Sequence, residues 1–268
     1  LKIEENYLRM MREVQPLGII YACNPSFSRQ VAELSGEIPV VVISNRDDEF
    51  SIDAVALNNQ KPGILMARHL LGLGHRDVAF IAPPLTARQH QRQKRVGGFL
   101  MEFEKAGLSD HVLVRSAADS KDTEIPNIES EYRMGYDLTV ELLREGQPVT
   151  AIAALNDMMA FGAMDAMKAA GISYGVDGDV ILISFDACTA GLEYVMSGDI
   201  NADFECNPLA APFVEDVIQQ LESGSTPDKE VYMVEHWYVN EDILSSITVN
   251  GEEQELTVVT QEIVDAQY

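Results

Sequence analysis

Two polar residues with the chemistry to bind a small molecule follow apolar runs in this chain. Asn156 comes after the run that begins at Ala151, and Asp186 comes after the run at 180–185. The intervening residues predict a helix from about 157 to 170, with Asn156 as its N-cap. Two apolar strands joined by a helix are typical of a parallel sheet covered on both faces. Both polar residues would then lie at the carboxyl edge of the sheet, where open α/β sheets bind ligands.

Three arginines open the long helix predicted over residues 86–107. Arg88, Arg92 and Arg95 recur at i, i+4 and i+7, so they share one face of that helix. A guanidinium donates paired hydrogen bonds in one plane, which suits a polyol or a carboxylate. A solvated helix face would carry the same residues, and the spacing alone does not decide between the two interpretations.

Helices and strands alternate from the first residues, which is the pattern of an α/β fold. The C-terminal stretch 241–268 is acidic, and a hairpin is predicted in it around Asn250 and Gly251. The remaining predicted helices cover 3–14, 26–35, 59–74, 128–145, 188–197 and a segment that ends near 223, and the remaining strands cover 17–22, 38–43, 77–82, 111–115, 200–206 and 229–239.

Composition restricts the possible functions. The chain has 268 residues, of which 46% are hydrophobic, enough for one large or two smaller domains. Its net charge of −24 repels nucleic acid and anionic membranes. No apolar run approaches the length that crosses a bilayer, and the N-terminus is amphipathic and charged, unlike a secretory signal.

The sequence predicts no metal site and no cofactor, and it contains no recognisable catalytic motif. Cys23, Cys188 and Cys206 are odd in number and widely spaced, so they are expected to be reduced, without a disulfide or a metal site. Walker loops, Gly-x-Ser-x-Gly elbows and His-Glu-x-x-His motifs are not found. Asp157, beside Asn156, and Asp186 could be paired acids, but their predicted positions at a helix start and a strand end favour binding over catalysis.

Several phrases resemble the sensor domain of the LacI/GalR family of transcriptional regulators, which is similar to the periplasmic sugar-binding proteins of ABC transporters. The first is Thr-Ala-Ile-x-Ala-x-Asn-Asp-x-Met-Ala-x-Gly-Ala, from residue 150, followed by Asp-Val-x-Leu-Ile-Ser-Phe-Asp, which ends at Asp186. The second, from His69, is His-Leu-Leu-x-Leu-Gly-His-Arg-x-Val-Ala-Phe-Ile, which is closer to the regulators. Phe-Glu-Cys-Asn-Pro-Leu, from Phe204, is closer to the transporter proteins.

The resemblance covers roughly residues 4–240 and implies an α/β protein of two Rossmann-like subdomains, each with a parallel sheet, joined by three crossovers. Ligand would bind in the cleft between the subdomains, and closure about the hinge would follow. The first βαβ unit of the resembled families is expected to be absent from the chain as given. The expected N-terminal subdomain is 1–57 with 206–235, the C-terminal subdomain is 61–202 with 239–268, and the hinge lies near 58–60, 203–205 and 236–238.

The resemblance also implies a set of ligand-binding residues. Arg95 stands in the family's Arg-x-x-Gly-Phe phrase, and Glu205 stands where relatives usually have Gln. Arg92 is interpreted as part of a solvated helix face. The full expected set is Arg95, Asn156, Asp186, Glu205, Ser44 and Asn45, with Arg88, Tyr132 and Trp237 as further candidates.

Two departures from the family and one structural alternative bear on this set. Relatives often have Asp at the position of Ser44, and an aromatic residue at that of Ser130. For Asp186 the alternative is that it only caps the helix at 188–197.

The implied function is the effector-binding domain of a LacI-family transcriptional regulator that binds a sugar or a related small polar metabolite. A homodimer in the cytoplasm is expected, with DNA bound only through a headpiece outside this chain and without insertion into a membrane. The alternative is the solute-binding protein of a sugar ABC transporter, located in the periplasm or anchored to the cell surface as a lipoprotein. Enzymatic activity is not expected.

Overall fold

The computed structural model of the chain describes residues 2–22, 25–43, 52–56, 58–85, 90–118, 128–206, 209–228, 230–232, 236–242, 246–249 and 252–267. The chain divides into two compact units. Unit 1 consists of Leu1–Asn58 and Asn207–Val234, and unit 2 consists of Asn59–Cys206 and Glu235–Tyr268.

The elements follow one another in an α/β order. The helices are α1 (Lys2–Val14), α2 (Ser28–Ser35), α3 (Gln60–Gly72), α4 (His90–Lys105), α5 (Ile128–Glu145), α6 (Asp157–Ala170), α7 (Thr189–Ser197), α8 (Ala211–Glu222) and α9 (Gln261–Ala266). The strands are β1 (Ile19–Tyr21), β2 (Val40–Ile43), β3 (Asp53–Ala56), β4 (Val78–Ala82), β5 (Val112–Ser116), β6 (Ala151–Ala154), β7 (Ile181–Asp186), β8 (Ala202–Glu205), β9 (Glu230–Tyr232), β10 (Trp237–Val239), β11 (Ser246–Val249), β12 (Glu252–Glu255) and β13 (Thr257–Val258).

Unit 1 contains a parallel sheet in the order β1-β2-β3-β9. Successive valines of β2 enter different cores because side chains alternate along a strand. Val41 packs with Val214 and Val217 of α8, whereas Val40 and Val42 pack with Val31 of α2. Apolar residues on both faces explain why the run at 38–43 has no polar alternation.

Unit 2 is built on a larger sheet in the order β13-β10-β8-β7-β6-β4-β5. Neighbouring strands are parallel except β8 and β10, which are antiparallel. The strands at the centre are buried along their length, as their uniformly apolar sequences predict. Phe80 of β4 packs edge-on against Phe99 of α4, which stacks on Phe103 one turn later.

Glycines allow two helix pairs in unit 2 to approach closely. A β-carbon on Gly98 of α4 would lie 2.2 Å from the carbonyl oxygen of Gln60 in α3, and one on Gly63 would lie 1.9 Å from that of Arg95. A β-carbon on Gly162 of α6 would likewise lie 2.0 Å from the carbonyl oxygen of Tyr132 in α5. These glycines therefore set how closely α3 packs against α4 and α5 packs against α6.

Two strand predictions need correction. The stretch 229–239 was predicted as one strand, but it forms β9 in the sheet of unit 1 and β10 in that of unit 2. An alternating pattern specifies which side chains share a face and not which sheet supplies the partner, so it cannot detect the crossing between units. Strand β3 was not predicted at all, because its four residues begin with the polar Asp53.

The hairpin predicted around Asn250 and Gly251 is confirmed by the antiparallel pair β11 and β12.

Candidate functional site

The carboxyl edge of the unit 2 sheet gathers the polar ends of three neighbouring strands. Asn156 follows β6, Asp186 is the last residue of β7, and Glu205 is the last residue of β8. Asp186 and Glu205 are direct partners in the parallel register of β7 and β8. The helices that follow or face this edge supply the remaining side chains of the candidate site.

Asn156 has the capping role that its position predicts. Its Oδ1 accepts a hydrogen bond from the backbone N–H of Met159 at 3.1 Å, which satisfies one free donor at the start of α6. Its Nδ2 donates to Oε2 of Glu131 at 2.6 Å. One end of the amide therefore fixes the helix, and the other end orients a carboxylate of α5.

Arg92 does not lie on a solvated helix face, which corrects the sequence interpretation. Its Nη2 donates to Oε1 of Glu131 at 2.7 Å, and its side chain is only 21% exposed. Burial lowers the pKa of Arg92, and the nearby carboxylates of Glu131 and Asp186 oppose that shift. Glu131 thus bridges Arg92 and Asn156, and this bridge was missed because its partner residues are 39 and 25 positions away.

Arg95 is buried, and contacts with Leu155, Asn59 and Phe185 hold it at the same edge. Its Nη1 donates to the carbonyl oxygen of Leu155 at 2.6 Å, and its Nη2 donates to Oδ1 of Asn59 at 2.7 Å. Its guanidinium carbon lies 3.3 Å from the centroid of the Phe185 ring, a cation–π contact. The contacts fix the guanidinium plane next to β6 and β7, immediately before Asn156 and Asp186.

Asp186 occupies an unusual backbone position. It has a φ of 127°, and Ala187 follows with a φ of 53°, so two successive residues with side chains lie in the left-handed region. Such conformations persist only when the surroundings hold them, and they cluster at functional sites. Burial and the neighbouring Asp157 raise the pKa of Asp186 to about 8, against the opposing effect of Arg95. Its carboxyl group can therefore both donate and accept near neutral pH.

The capping alternative for Asp186 is not what the structure shows. Cys188 is the N-cap of α7, and its Sγ accepts from the backbone N–H of Gly191 at 3.4 Å. Cys188 and Cys206 are half-buried free cysteines, and Cys23 lies outside the described residues. The side chain of Asp186 is therefore not required to begin the helix.

The other predicted site residues have different surroundings. Glu205 is buried, and its Oε2 lies 2.6 Å from Nδ1 of His236, so its carboxylate already has a partner beside β10. The Tyr132 hydroxyl donates to Asp165, two turns into α6 and away from Asn156 at its start. Ser44, Asn45 and Arg88 lie outside the described residues.

Trp237 is corrected from a candidate ligand residue to a core residue. It is 5% exposed, and its ring lies 5.0 Å from that of Phe204 and 5.4 Å from that of His69. The ring lies among the side chains of the unit 2 core and not at the polar edge. A lone tryptophan at the end of an alternating strand could not be distinguished from a core residue by sequence.

The cluster formed by Arg92, Arg95, Glu131, Asn156 and Asp186 can hydrogen-bond a small polar molecule from several directions; below it is called the edge cluster. Within the described ranges, no group of three or more His, Cys, Asp or Glu residues is arranged to hold a metal ion. The described helices also include none long and apolar enough to cross a membrane.

Comparison with known proteins places the chain among binding proteins and regulators. The family model described as "Periplasmic binding proteins and sugar binding domain of LacI family" matches residues 2–199. The HTH-type transcriptional regulator DegA of Bacillus subtilis is 29% identical over 190 residues, which are 69% of this chain and 52% of DegA. The HTH-type transcriptional repressor PurR of Actinobacillus pleuropneumoniae is 29% identical over 185 residues, 68% of this chain and 50% of PurR. The chain spans about half the length of these curated relatives.

Solved structures share the fold. A LacI-family regulator from Enterococcus faecium with bound ribose has a TM-score of 0.63 at 23% identity, covering 87% of this chain and 81% of that one. The periplasmic component of the arabinose ABC transporter from Shewanella sp. ANA-3 has a TM-score of 0.66 at 23% identity, covering 84% and 74%. The lac repressor dimer bound to operator has a TM-score of 0.65 at 18% identity, covering 86% and 74%.

These likenesses confirm the predicted fold class, an α/β protein with the type I periplasmic-binding-protein fold. The family match extends over well more than half of the 268 residues. The chain belongs to the family of periplasmic binding proteins and sugar-binding domains of LacI-type regulators.

Proposed function

We propose that this chain is the ligand-sensing domain of a LacI-family transcriptional regulator and that it binds a sugar or a related small polar metabolite. The observation that carries the proposal is the edge cluster, in which two guanidinium groups, an amide and two carboxyl groups meet at the ligand-binding edge of a parallel sheet. The curated relatives DegA and PurR, both HTH-type regulators, support the regulatory assignment. A cytoplasmic location is part of the same proposal.

The chemistry of the edge cluster suits a hydroxyl-rich ligand better than a catalytic reaction. A carboxyl group that is partly protonated, as Asp186 is near neutral pH, can pair with a hydroxyl as donor or acceptor. Arg92 has a buried Nη1 with no hydrogen-bond partner among the described residues, and a ligand oxygen could accept from it. Ser44, Asn45, Arg88 and Glu205 remain predicted contacts, as do the subdomain and hinge boundaries.

A thermal-shift screen tests this proposal. The panel contains pentoses, hexoses, sugar acids and sugar phosphates, and a tight ligand raises the melting temperature by mass action. Each compound that does so is then titrated by calorimetry into the wild-type protein and into Asp186→Ala. Loss of a buried acceptor costs ~1.5–3 kcal/mol, so the affinity should fall about ten- to a hundredfold.

Asp137→Ala is the control, because Asp137 is an exposed acid on α5 and should leave the affinity unchanged. A panel in which no compound stabilises the protein would contradict the proposal. Equal affinity for the wild-type protein and Asp186→Ala would contradict the assignment of the site.

The second candidate is the solute-binding protein of a sugar ABC transporter, which the likeness to the arabinose transporter component favours. Sequencing the natural gene upstream of the codon for residue 1 distinguishes the two. A helix-turn-helix there would establish the regulator, and a secretory or lipoprotein signal would establish the transporter protein together with a location outside the cytoplasm.

Self-association is a further part of the proposal. The lac repressor, whose solved structure has a similar fold, is described as a dimer. Unit 1 exposes the apolar side chains of Ile3, Tyr7 and Met10 on α1 and of Ile20 on β1. Exposed apolar surface of this kind marks interaction sites. Sedimentation velocity should show concentration-dependent dimerisation that Ile20→Ser weakens, whereas a monomer at high concentration would favour the transporter candidate.

A further inference from the structure

A pair of aspartates that the proposed ligand contacts do not use lies beneath the edge cluster. Asp157, the first residue of α6, is 2% exposed, and Asp203 of β8 is 0% exposed. Their Oδ2 atoms converge on Gly191 of α7, where a β-carbon would lie 2.6 Å from each of them. Two carboxyl groups in one buried space are costly unless a proton neutralises one of them.

The surroundings of the pair favour that shared proton. Among the described residues, no N–H or O–H group donates to Oδ2 of Asp203. The carboxyl group of Asp157 is its neighbour, close enough for a hydrogen bond between the two side chains. Two carboxyl oxygens can hydrogen-bond only when one of them carries a proton. Burial raises the pKa of both groups, which favours the protonated form.

The same two carboxyl groups also hold the backbone that presents Asp186. Oδ1 of Asp203 accepts from the backbone N–H of Ala187 at 3.2 Å, and Oδ2 of Asp157 accepts from that of Cys188 at 2.9 Å. Oδ1 of Asp157 accepts from the hydroxyl of Ser184 on β7. The two N–H groups directly after Asp186 are thus bound to the pair, at the point where two residues have positive φ.

The charged and titratable groups around the pair come from every neighbouring element. Asp186 on β7 and Cys188 before α7 are the nearest, and burial raises the pKa of the Cys188 thiol to about 12, so it stays neutral. Tyr238 on β10 is close enough to Asp203 for the two groups to affect each other's ionisation. The groups that act on Asp186 from α4 and α5 are Arg92, Arg95 and Glu131.

We infer that Asp157 and Asp203 form a proton-sharing acid pair that positions the Asp186–Ala187 turn without touching the ligand. With one proton shared, the carboxyl groups bond to each other and to the two N–H groups of the turn. Loss of that proton leaves two buried carboxylates that repel, and the turn loosens. The pair matters for binding only if Asp186 contacts the ligand, so that consequence rests on the proposed function.

The test needs no ligand, so its outcome is independent of the sugar screen. Carboxyl carbons of the full chain, labelled with [4-13C]aspartate, are followed by NMR as a function of pH and assigned with Asp157→Asn and Asp203→Asn. Amide hydrogen exchange at Ala187 and Cys188 is measured over the same pH range and corrected for the intrinsic rise in exchange with pH. Asp137→Asn, on the exposed face of α5, is the control.

The two carboxyl groups should titrate as a coupled pair, with one step well above the ordinary range for aspartate. Protection of the Ala187 and Cys188 amides should fall at least about tenfold through that step, equivalent to ~1.4 kcal/mol. Asp203→Asn should abolish the high-pH titration step, because only one carboxyl group remains. The Ala187 and Cys188 amides should stay protected from exchange, because an amide hydrogen of Asn replaces the shared proton. Asp203→Ala should lose the protection at every pH.

Two results would overturn the inference. One is independent titration of both carboxyl groups in the ordinary range. The other is a variant Asp203→Asn in which protection of Ala187 still falls with pH as it does in the wild type. Because Asp203→Ala could fail to fold, the Asn variant decides the question, with far-UV circular dichroism to verify its fold.

Discussion

At the residue scale, Asp186 combines a strained backbone with a carboxyl group that changes charge near neutral pH. Its left-handed φ turns the chain sharply at the end of β7, and burial together with the neighbouring Asp157 raises its pKa to about 8. An ordinary aspartate has a pKa of about 3.9. The folded protein therefore retains a proton on Asp186 at pH values where the unfolded chain has released it.

This difference predicts how stability depends on pH. Between about pH 4 and pH 8 the native state holds more protons than the unfolded state, so the free energy of unfolding should fall as the pH rises, by up to about 1.4 kcal/mol per unit for one proton. Asp186→Asn should reduce the slope of the free energy of unfolding against pH. The slope should not vanish, because the buried Asp157 and Asp203 also have raised pKa values. Urea unfolding at several pH values between 5 and 8 measures both slopes. A variant slope equal to that of the wild-type protein would contradict the assigned protonation state.

Arg95 should contribute to folding as well as to binding. Arg95→Ala removes the buried hydrogen bonds to the Leu155 carbonyl oxygen and to Oδ1 of Asn59, which should cost ~2–4 kcal/mol in the free energy of unfolding. Arg95→Lys should cost less but still destabilise, because an ammonium group cannot donate to both acceptors in the plane of a fork. Thermal and urea unfolding measure the loss, and Arg144→Ala, at an exposed position of α5, should change stability by under about 0.5 kcal/mol. Equal stability of the Arg95 and Arg144 alanine variants would show that the buried contacts contribute little.

At the element scale, the edge cluster depends on how closely helices pack. The N-terminal half of α4 carries Arg92 and Arg95, and glycines at positions 63 and 98 let α3 and α4 touch backbone to backbone. Helix α5 carries Glu131, and helix α6 begins directly after Asn156. Gly162 lets these two helices approach equally closely. The arginines and the Glu131 bridge are therefore positioned by helix crossings as much as by the strands.

Adjacent glycines of α4 test this dependence directly. Gly98→Ala places a methyl group 2.2 Å from the Gln60 carbonyl oxygen, so the helices must separate, at a cost of about 1–3 kcal/mol or more. Gly97→Ala meets nothing within 4 Å and should stabilise the helix by about 0.5–1 kcal/mol. Urea unfolding of both variants is the measurement. If both substitutions changed the free energy of unfolding in the same direction, close packing would not determine the α3–α4 crossing.

At the scale of the whole molecule, charge limits what the chain can bind. Forty-three acidic residues outnumber 19 basic ones, and the net charge is −24. Binding to duplex DNA relies on basic side chains that neutralise phosphates, and a strongly acidic surface opposes it. We therefore expect this chain to have little affinity for duplex DNA by itself.

We expect this chain alone to leave duplex DNA unshifted in a gel at 50–200 mM salt (about the range over which such binding is compared). A fusion of the chain to the DNA-binding headpiece of a related regulator is the positive control. A sequence-specific, salt-sensitive shift with the chain alone would contradict the prediction and would require a basic surface that the charge balance does not suggest.

The sequence by itself determined the features that depend on local pattern. Apolar runs without alternation predicted parallel strands buried on both faces, and Asn156 and Asp186 were predicted at the carboxyl edge because each directly follows such a run. The N-cap role of Asn156 followed from its place before an amphipathic stretch. These inferences succeed because strand and helix periods, caps and strand ends are properties of a few consecutive residues.

Only the tertiary structure decided which distant side chains meet. The Arg92–Glu131 ion pair joins residues 39 positions apart. Asp157 follows β6 and Asp203 lies on β8, yet their carboxyl groups lie side by side. Trp237 joined the core for the same reason, since its ring contacts Phe204 through an antiparallel register that its own strand does not encode. A periodic pattern specifies the face on which a residue lies, but the partner on that face depends on sheet order and helix crossing, which are determined by packing of the whole unit.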